Sequence, residues 1–271
     1  MIPYPNIDPV IIQVGPLAVR WYGMMYVAGF ALSYLLIIYQ IGRKRVAVAR
    51  AEAVTRAHPL TRAQIDDLYF YLILGLLIGA RLGYVIFYNL GYFLEHPVEI
   101  FVLWHGGMSF HGGLIGAFVA GYLGIKRKGI DFWKAADLII PTAPVGIGLG
   151  RLGNFINGEL FGKPSDVPWA MVFPGGGPVP RHPSQLYEAA LEGALLFIIL
   201  WFYKEKKGRD GDVFALFLVL YGIFRTFCEF FREPDTQMGY IFGVITMGQV
   251  LSLAMLCVGF LLKYTYLRRQ S

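Results

Sequence analysis

Seven apolar stretches, each near the roughly 20 residues that a helix needs to cross a bilayer, alternate with short polar connections along the chain. They run over about 21–40, 66–88, 109–125, 132–150, 186–203, 212–231 and 241–263. Runs this long and this apolar predict an all-α integral membrane protein of seven transmembrane helices. No connection is long enough for a separate soluble domain, so residues 1–271 are expected to form a single polytopic membrane domain. The longest connection, about 151–185, is rich in Gly and Pro (Gly175, Gly176, Gly177, Pro178, Pro180) and predicts an outer arm.

Small residues recur at helical spacing inside the spans. Gly75, Gly79 and Gly83 follow one another every four residues, as do Gly112 and Gly116. In lipid that spacing lets two helices approach closely. Gly148, Gly150 and Gly153 formally match the dinucleotide-binding pattern, but that pattern requires a preceding strand and a βαβ unit. A membrane span provides neither.

Composition agrees with the pattern. The chain is 56% hydrophobic and only 15% charged, against about 25% charged in soluble domains. Its mean hydropathy is +0.53. The net charge of +6 does not point to nucleic acid, because the cations cluster between spans. Arg43, Lys44, Arg45, Arg50, Arg56 and Arg62 lie in the first basic loop, Lys126, Arg127, Lys128 and Lys134 in the second. Lys204, Lys206, Lys207 and Arg209 form the third, and Lys263, Arg268 and Arg269 end the chain. These 17 of the 24 Lys and Arg fall on one side of a seven-span arrangement. By the positive-inside rule that side is the cytoplasm, which puts the N-terminus outside, the C-terminus inside and the arm in the periplasm. The N-terminus lacks a basic region ahead of its apolar run, so no cleavable signal peptide is expected. Cys228 and Cys257 sit in apolar segments and offer neither a disulfide framework nor metal-ligand spacing. No metal and no cofactor is expected.

Seven cations do not obey the topology rule: Arg20, Arg81, Arg151, Lys163, Arg181, Arg225 and Arg232. An Arg at a membrane boundary often only snorkels. Arg151, however, opens a run in which Asn154, Asn157 and Glu159 follow within eight residues. That density of donors suits an anionic, hydroxyl-bearing head group, with Arg151 on a phosphate and Asn154 on a glycerol or phosphate oxygen. Tyr221, Arg225, Glu229 and Arg232 share one helix face. Intramembrane charges mark functional sites, although Glu229 could simply lock helices together by pairing with Arg225 or Arg232. Arg81 carries the same two readings. His111 opens an apolar helix at the outer face, where the positive helix end keeps an imidazole neutral and able to accept a proton. No nucleophile motif is present, so the nucleophile is expected to arrive with a substrate.

Four of these segments carry a family resemblance. Gly106–Gly113 (GGMSFHGG), Gly150–Glu159 (GRLGNFINGE), Arg181–Glu188 (RHPSQLYE) and Phe224–Asp235 (FRTFCEFFREPD) resemble prolipoprotein diacylglyceryl transferase, as do Arg20–Gly23 and Gly79–Tyr84. The resemblance runs from about residue 8 to 260. It implies a bacterial inner-membrane transferase that moves the diacylglyceryl group of phosphatidylglycerol to the lipobox cysteine thiol of a prolipoprotein signal peptide. The products would be a thioether and glycerol 1-phosphate. It also implies seven spans with the N-terminus outside. On this reading His111 takes the thiol proton, or an arginine-rich field ionises the thiol without a base. Arg151 and Arg225 hold the phosphodiester, Asn154 and Glu159 position the head-group glycerol, Tyr22 adds a hydrogen bond, and Glu229 pairs with Arg232. A transporter for an anionic solute is the alternative from another class. It predicts repeated halves, and the sequence has none.

Overall fold

The computed structural model describes residues 2–15, 17–51, 60–102, 107–234, 240–241 and 245–266. Arg56, His105, Arg268 and Arg269 lie outside them. The described chain is mainly helical and groups into two compact units, Ile38–Ala135 and Met1–Ile37 with Ala136–Ser271. Among the described residues four helices are long and apolar enough to cross a membrane: Trp21–Gly42, Arg62–Tyr88, Ser184–Tyr203 and Met247–Thr265.

In the Ile38–Ala135 unit, α2 (Arg62–Tyr88) begins at a capping box between Thr61 and Gln64. The short α3 (Leu90–Glu95) follows it, and α4 (Phe110–Arg127) packs back along α2. The expected glycine spacing is the contact itself. A Cβ at Gly79 would run into the Gly112 carbonyl, and one at Gly116 into that of Gly75. Gly75 faces Gly116 and Ala120 while Gly83 faces Gly112 and Ser109, so the two helices run antiparallel. Arg81, buried on α2, donates to four main-chain carbonyls, those of Glu99, Ile100, Val102 and Gly107, at 2.6–3.0 Å. It therefore ties down the segment that leads into α4.

The other unit starts with an antiparallel hairpin of β1 (Val10–Val14) and β2 (Leu17–Arg20). Helix α1 (Trp21–Ala51) continues past the apolar run, because the Arg, Lys and Ala residues that follow are themselves good helix formers. The stretch expected as one span over 132–150 is instead broken. α5 (Phe132–Ile139) passes through a 3-10 turn at Ile140–Thr142 into α6 (Ala143–Ile156). Pro141 and Pro144 lack the N–H that a continuous helix needs there. In this turn the Thr142 hydroxyl donates to the Ile139 carbonyl at 2.7 Å.

Helix α7 (Ser184–Glu188) widens into a π-helical stretch, Ala189–Leu195, before α8 (Leu196–Tyr203). Gly193 in that stretch packs against Gly148 of α6. Gly148 and Gly153 are thus helix-packing residues, the latter against Tyr22 of α1. Finally α9 (Asp212–Glu229) and α10 (Met247–Leu261) pack antiparallel, Gly222 against Ser252 and Leu256, Gly259 against Ala215 and Val219. The seventh apolar stretch, expected from 241, becomes helical only at Met247. Thr246 caps it, and the residues before it form the small pair β3 (Tyr240–Ile241) and β4 (Ile245–Thr246). Leu196, Leu200, Val213 and Phe217 make the core between α8 and α9.

Candidate active site

Three of the seven exceptional cations meet at one carboxylate. Glu188, fully buried at the end of α7, lies 2.8 Å from Nε of Arg151 on α6 through its Oε2. Its Oε1 accepts a hydrogen bond from Nη1 of Arg225 on α9 at 2.8 Å and another from Nη1 of Arg232 at 3.4 Å. The Arg151 contact is ionic rather than aligned, since Oε2 accepts no hydrogen bond among the described residues. Glu192, one helical turn further on and equally buried, lies 3.6 Å from Arg225 and 3.8 Å from Arg151. Glu229 accepts a hydrogen bond from Arg225 and one from the Thr246 hydroxyl, the latter at 2.8 Å. The space around Glu229 requires glycine on the facing helix, because a Cβ at Gly248 would collide with its carboxylate.

Three guanidiniums thus face three carboxylates in an apolar setting, and each arginine is used differently. Arg225 donates through both terminal nitrogens, to Glu188 and to Glu229. Arg232 is held also by its backbone, which bridges to Gly162 of the arm. Arg151 is engaged through Nε, and its terminal nitrogens make no hydrogen bond among the described residues. Its side chain is the most exposed of the three, at 19% against 12% for Arg225 and 8% for Arg232.

Three residues beyond Arg151 on the same helix, Asn154 is buried and donates to Glu159 Oε1 at 2.9 Å. Asn157 donates to the same oxygen at 3.2 Å. The turn after α6 brings this carboxylate back over the helix end, and Gln185 of α7 fixes it by donating to the Glu159 carbonyl at 2.7 Å. Tyr22 packs on Gly153 and shares a 3.0 Å hydroxyl hydrogen bond with Tyr26. Leu160, next in the chain, sits at φ 55°, a left-handed conformation that non-glycine residues seldom adopt.

The arm itself is tied to this region. Gly162 donates to the His182 carbonyl at 2.8 Å, and Lys163 donates from its N–H to Phe231 at 2.8 Å and from its ammonium to Phe230 at 3.0 Å. Arg181 donates to the carbonyls of Gly176 and Gly162, pairs with Glu233 at 3.0 Å and lies over the Phe161 ring. Two further exceptional cations, Lys163 and Arg181, therefore serve the arm. Burial lowers the His182 imidazole from its usual value, and Tyr187 lies within hydrogen-bond distance of its Nδ1 at 3.0 Å.

The structure therefore brings Arg151, Arg225, Glu229 and Arg232 into one network and joins Asn154 to Glu159. His111 lies in the first turn of α4, after the Ser109 N-cap, but its side chain falls outside the described residues. Sequence reasoning missed Glu188 and Glu192. The signal was there, because Gln185, Glu188 and Glu192 are polar residues at spacings of three and four in an otherwise apolar span.

Comparison with known proteins agrees with this site. The family model described as prolipoprotein diacylglyceryl transferase matches residues 9–265. A phosphatidylglycerol–prolipoprotein diacylglyceryl transferase of Geobacter sulfurreducens is 49% identical, over 98% of both chains. Proteins of the same name from Bordetella avium and Methylococcus capsulatus are each 50% identical, over 100% of this chain and 99% and 100% of their own. The match spans the Arg151, Glu188 and Arg225 segments together, so the chain belongs to the prolipoprotein diacylglyceryl transferase family.

Proposed function

We propose that the Arg151–Glu188–Arg225 network is where this transferase binds the phosphodiester of phosphatidylglycerol and transfers its diacylglyceryl group to a prolipoprotein thiol. The protein acts as a multi-pass enzyme of the bacterial inner membrane, with phosphatidylglycerol and a prolipoprotein as its substrates. Neither the family nor its relatives support the transporter reading. One observation carries the assignment of the site. Arg225 donates through both terminal nitrogens and Arg232 through Nη1, whereas among the described residues the terminal nitrogens of Arg151 make no hydrogen bond, only a 3.8 Å ion pair with Glu192, and so keep N–H donors for an anion.

In the transfer, the cysteine sulfur attacks the glyceryl carbon next to the phosphate. A C–S bond forms, the C–O bond breaks, and the electron pair leaves on the phosphate oxygen of glycerol 1-phosphate. Arg151 stabilises that growing charge, and Arg225 adds its field from a fixed position. Preorganised donors of this kind typically contribute about 10²–10³ in rate each. Asn154 and Glu159 bind the head-group hydroxyls, with Tyr22 beside them. His111 accepts the thiol proton, a task worth roughly 10²–10⁴. His111→Gln tests that role, since an arginine field alone would leave substantial activity.

The seven-span topology, with the N-terminus outside, the C-terminus cytoplasmic and the arm in the periplasm, is part of this proposal. The grouping of 17 of the 24 cations on one side supports it. So does the position of α9, whose Asp212, Arg225 and Glu229 lower its hydropathy without shortening its 18 residues. The test is direct. Purified protein is incubated with phosphatidylglycerol and a lipobox peptide, and a diacylglyceryl-sized mass increase on the cysteine is expected. Folded protein that gives no adduct overturns the proposal.

A further inference from the structure

Glu188 is the point on which the arginines converge, and its geometry does more than balance their charge. A carboxylate with no exposed surface is costly unless it is paired, and Glu188 is paired from two neighbouring helices through different oxygens. Oε2 meets Nε of Arg151 on α6, and Oε1 takes Nη1 of Arg225 on α9, each at 2.8 Å. One rigid carboxylate therefore sets the distance between two guanidiniums that would otherwise repel each other. It also engages Arg151 along its Nε edge, which leaves the terminal nitrogens without a hydrogen bond among the described residues. Glu192 shows the contrast. Its nearest guanidinium nitrogens lie at 3.6 and 3.8 Å, beyond hydrogen-bond distance, and neither of its oxygens accepts a hydrogen bond among the described residues. It supplies negative charge without fixing a direction.

We infer that Glu188 is a positioning residue for the transfer: it holds Arg151 and Arg225 at the separation that receives one phosphodiester before the lipid arrives. The inference rests on Arg151 and Arg225 being the phosphate grip. Held in this way, the two cations need no ordering when the head group binds, and the developing charge meets donors already in place. Glu188 lies at the entry to the π-helical stretch, whose Gly193 packs closely on Gly148 of α6.

The test is the KM for phosphatidylglycerol, measured in mixed micelles per folded enzyme, for four variants. Glu188→Gln keeps the shape and loses the charge, whereas Glu188→Asp keeps the charge but draws it back by one methylene. If Glu188 positions the arginines, both raise the KM by roughly tenfold to a hundredfold, as misplacement by about 1 Å does elsewhere. The KM for the lipobox peptide should then move by less than about threefold, and Glu192→Gln should raise the lipid KM by less than about fivefold. Should Glu188→Gln fail to fold, Glu188→Asp carries the test. A wild-type lipid KM in Glu188→Asp, or an equal loss in Glu192→Gln, reduces Glu188 to a counter-ion and overturns the inference. Arg151→Lys separates the two readings. If it leaves the lipid KM unchanged, the phosphate grip itself is wrong, whereas a raised KM beside unaffected Glu188 variants sinks only the positioning role.

Discussion

Asp137 and Glu188 are both buried carboxylates in helices of an apolar protein, yet their surroundings differ in kind. Asp137 accepts four hydrogen bonds. Gly211 and Lys207 donate to Oδ2, each at 2.8 Å, while Val213 and Phe214 donate to Oδ1 at 3.1 and 3.0 Å. Three of these donors are main-chain N–H groups of the first turn of α9 and the residue before it. Asp137 therefore caps a helix from another part of the chain, where the helix dipole favours a negative charge. Nothing is left over at Asp137 for a ligand to take. Around Glu188 the partners are guanidiniums, and among the described residues its Oε2 and both oxygens of Glu192 accept no hydrogen bond while the terminal nitrogens of Arg151 donate none. Satisfied polar groups hold a fold together, and incompletely satisfied ones can be completed by a substrate.

Substitutions at the two carboxylates and their partners should separate structure from chemistry. The largest effect is expected at Arg151→Gln, which should lower transfer to a lipobox peptide by at least about 10²–10³-fold while the protein remains folded. A mass-resolved activity assay with a thermal unfolding control reads both. Asp137→Ala should do the reverse, costing about 3–5 kcal/mol of stability by stranding Lys207 and the α9 N–H groups. Its folded fraction should keep activity within about twofold, and a dead but stable Asp137→Ala would erase the distinction drawn here. Arg81→Lys extends the comparison to a cation, since lysine cannot reach four carbonyls at once. A loss of about 1–3 kcal/mol with near-normal activity is expected, read by chemical denaturation in detergent.

The smallest effect is at the edge of the Asp137 site. Burial alone would lower the Lys207 ammonium, but its hydrogen bonds to Asp137 and Asp210 outweigh that and raise it. A raised folded value means that its stabilisation is complete below the unfolded lysine value of about 10.4 and disappears as pH rises through the folded one. Lys207→Met should therefore be less stable than wild type at pH 8 by under about 1 kcal/mol, and the gap should close at strongly alkaline pH. Unfolding midpoints of both proteins across that range decide it.

Much of this was visible without coordinates. The dense run from Arg151 to Glu159 marked Asn154 and Glu159 as one polar cluster, and the glycine repeats of α2 and α4 announce a close helix pair by spacing alone. What could not be read is which charges meet. Arg225 and Glu188 are 37 positions apart, and Asp137 and Phe214 are 77 apart. Spacing left Glu229 with Arg225 or Arg232 as its partner and the resemblance pointed to Arg232; the folded chain gives it Arg225 and Thr246, and Arg232 reaches Glu188. The break between α5 and α6 was also hidden, because apolar content does not register the two prolines that interrupt it.

By itself the sequence determined the apolar segments, the motifs that carry the family and the arginines that do not belong in lipid. Those are properties of residue type and short-range spacing, which local chemistry fixes. Only the tertiary structure decided that Arg151, Arg225 and Arg232 share Glu188, that Arg81 and Asp137 serve the scaffold, and that Arg151 meets Glu188 through Nε rather than through its terminal nitrogens. An ion pair depends on where two helices come to lie against each other. That placement is set by glycine contacts and proline breaks far along the chain, and no local pattern contains it.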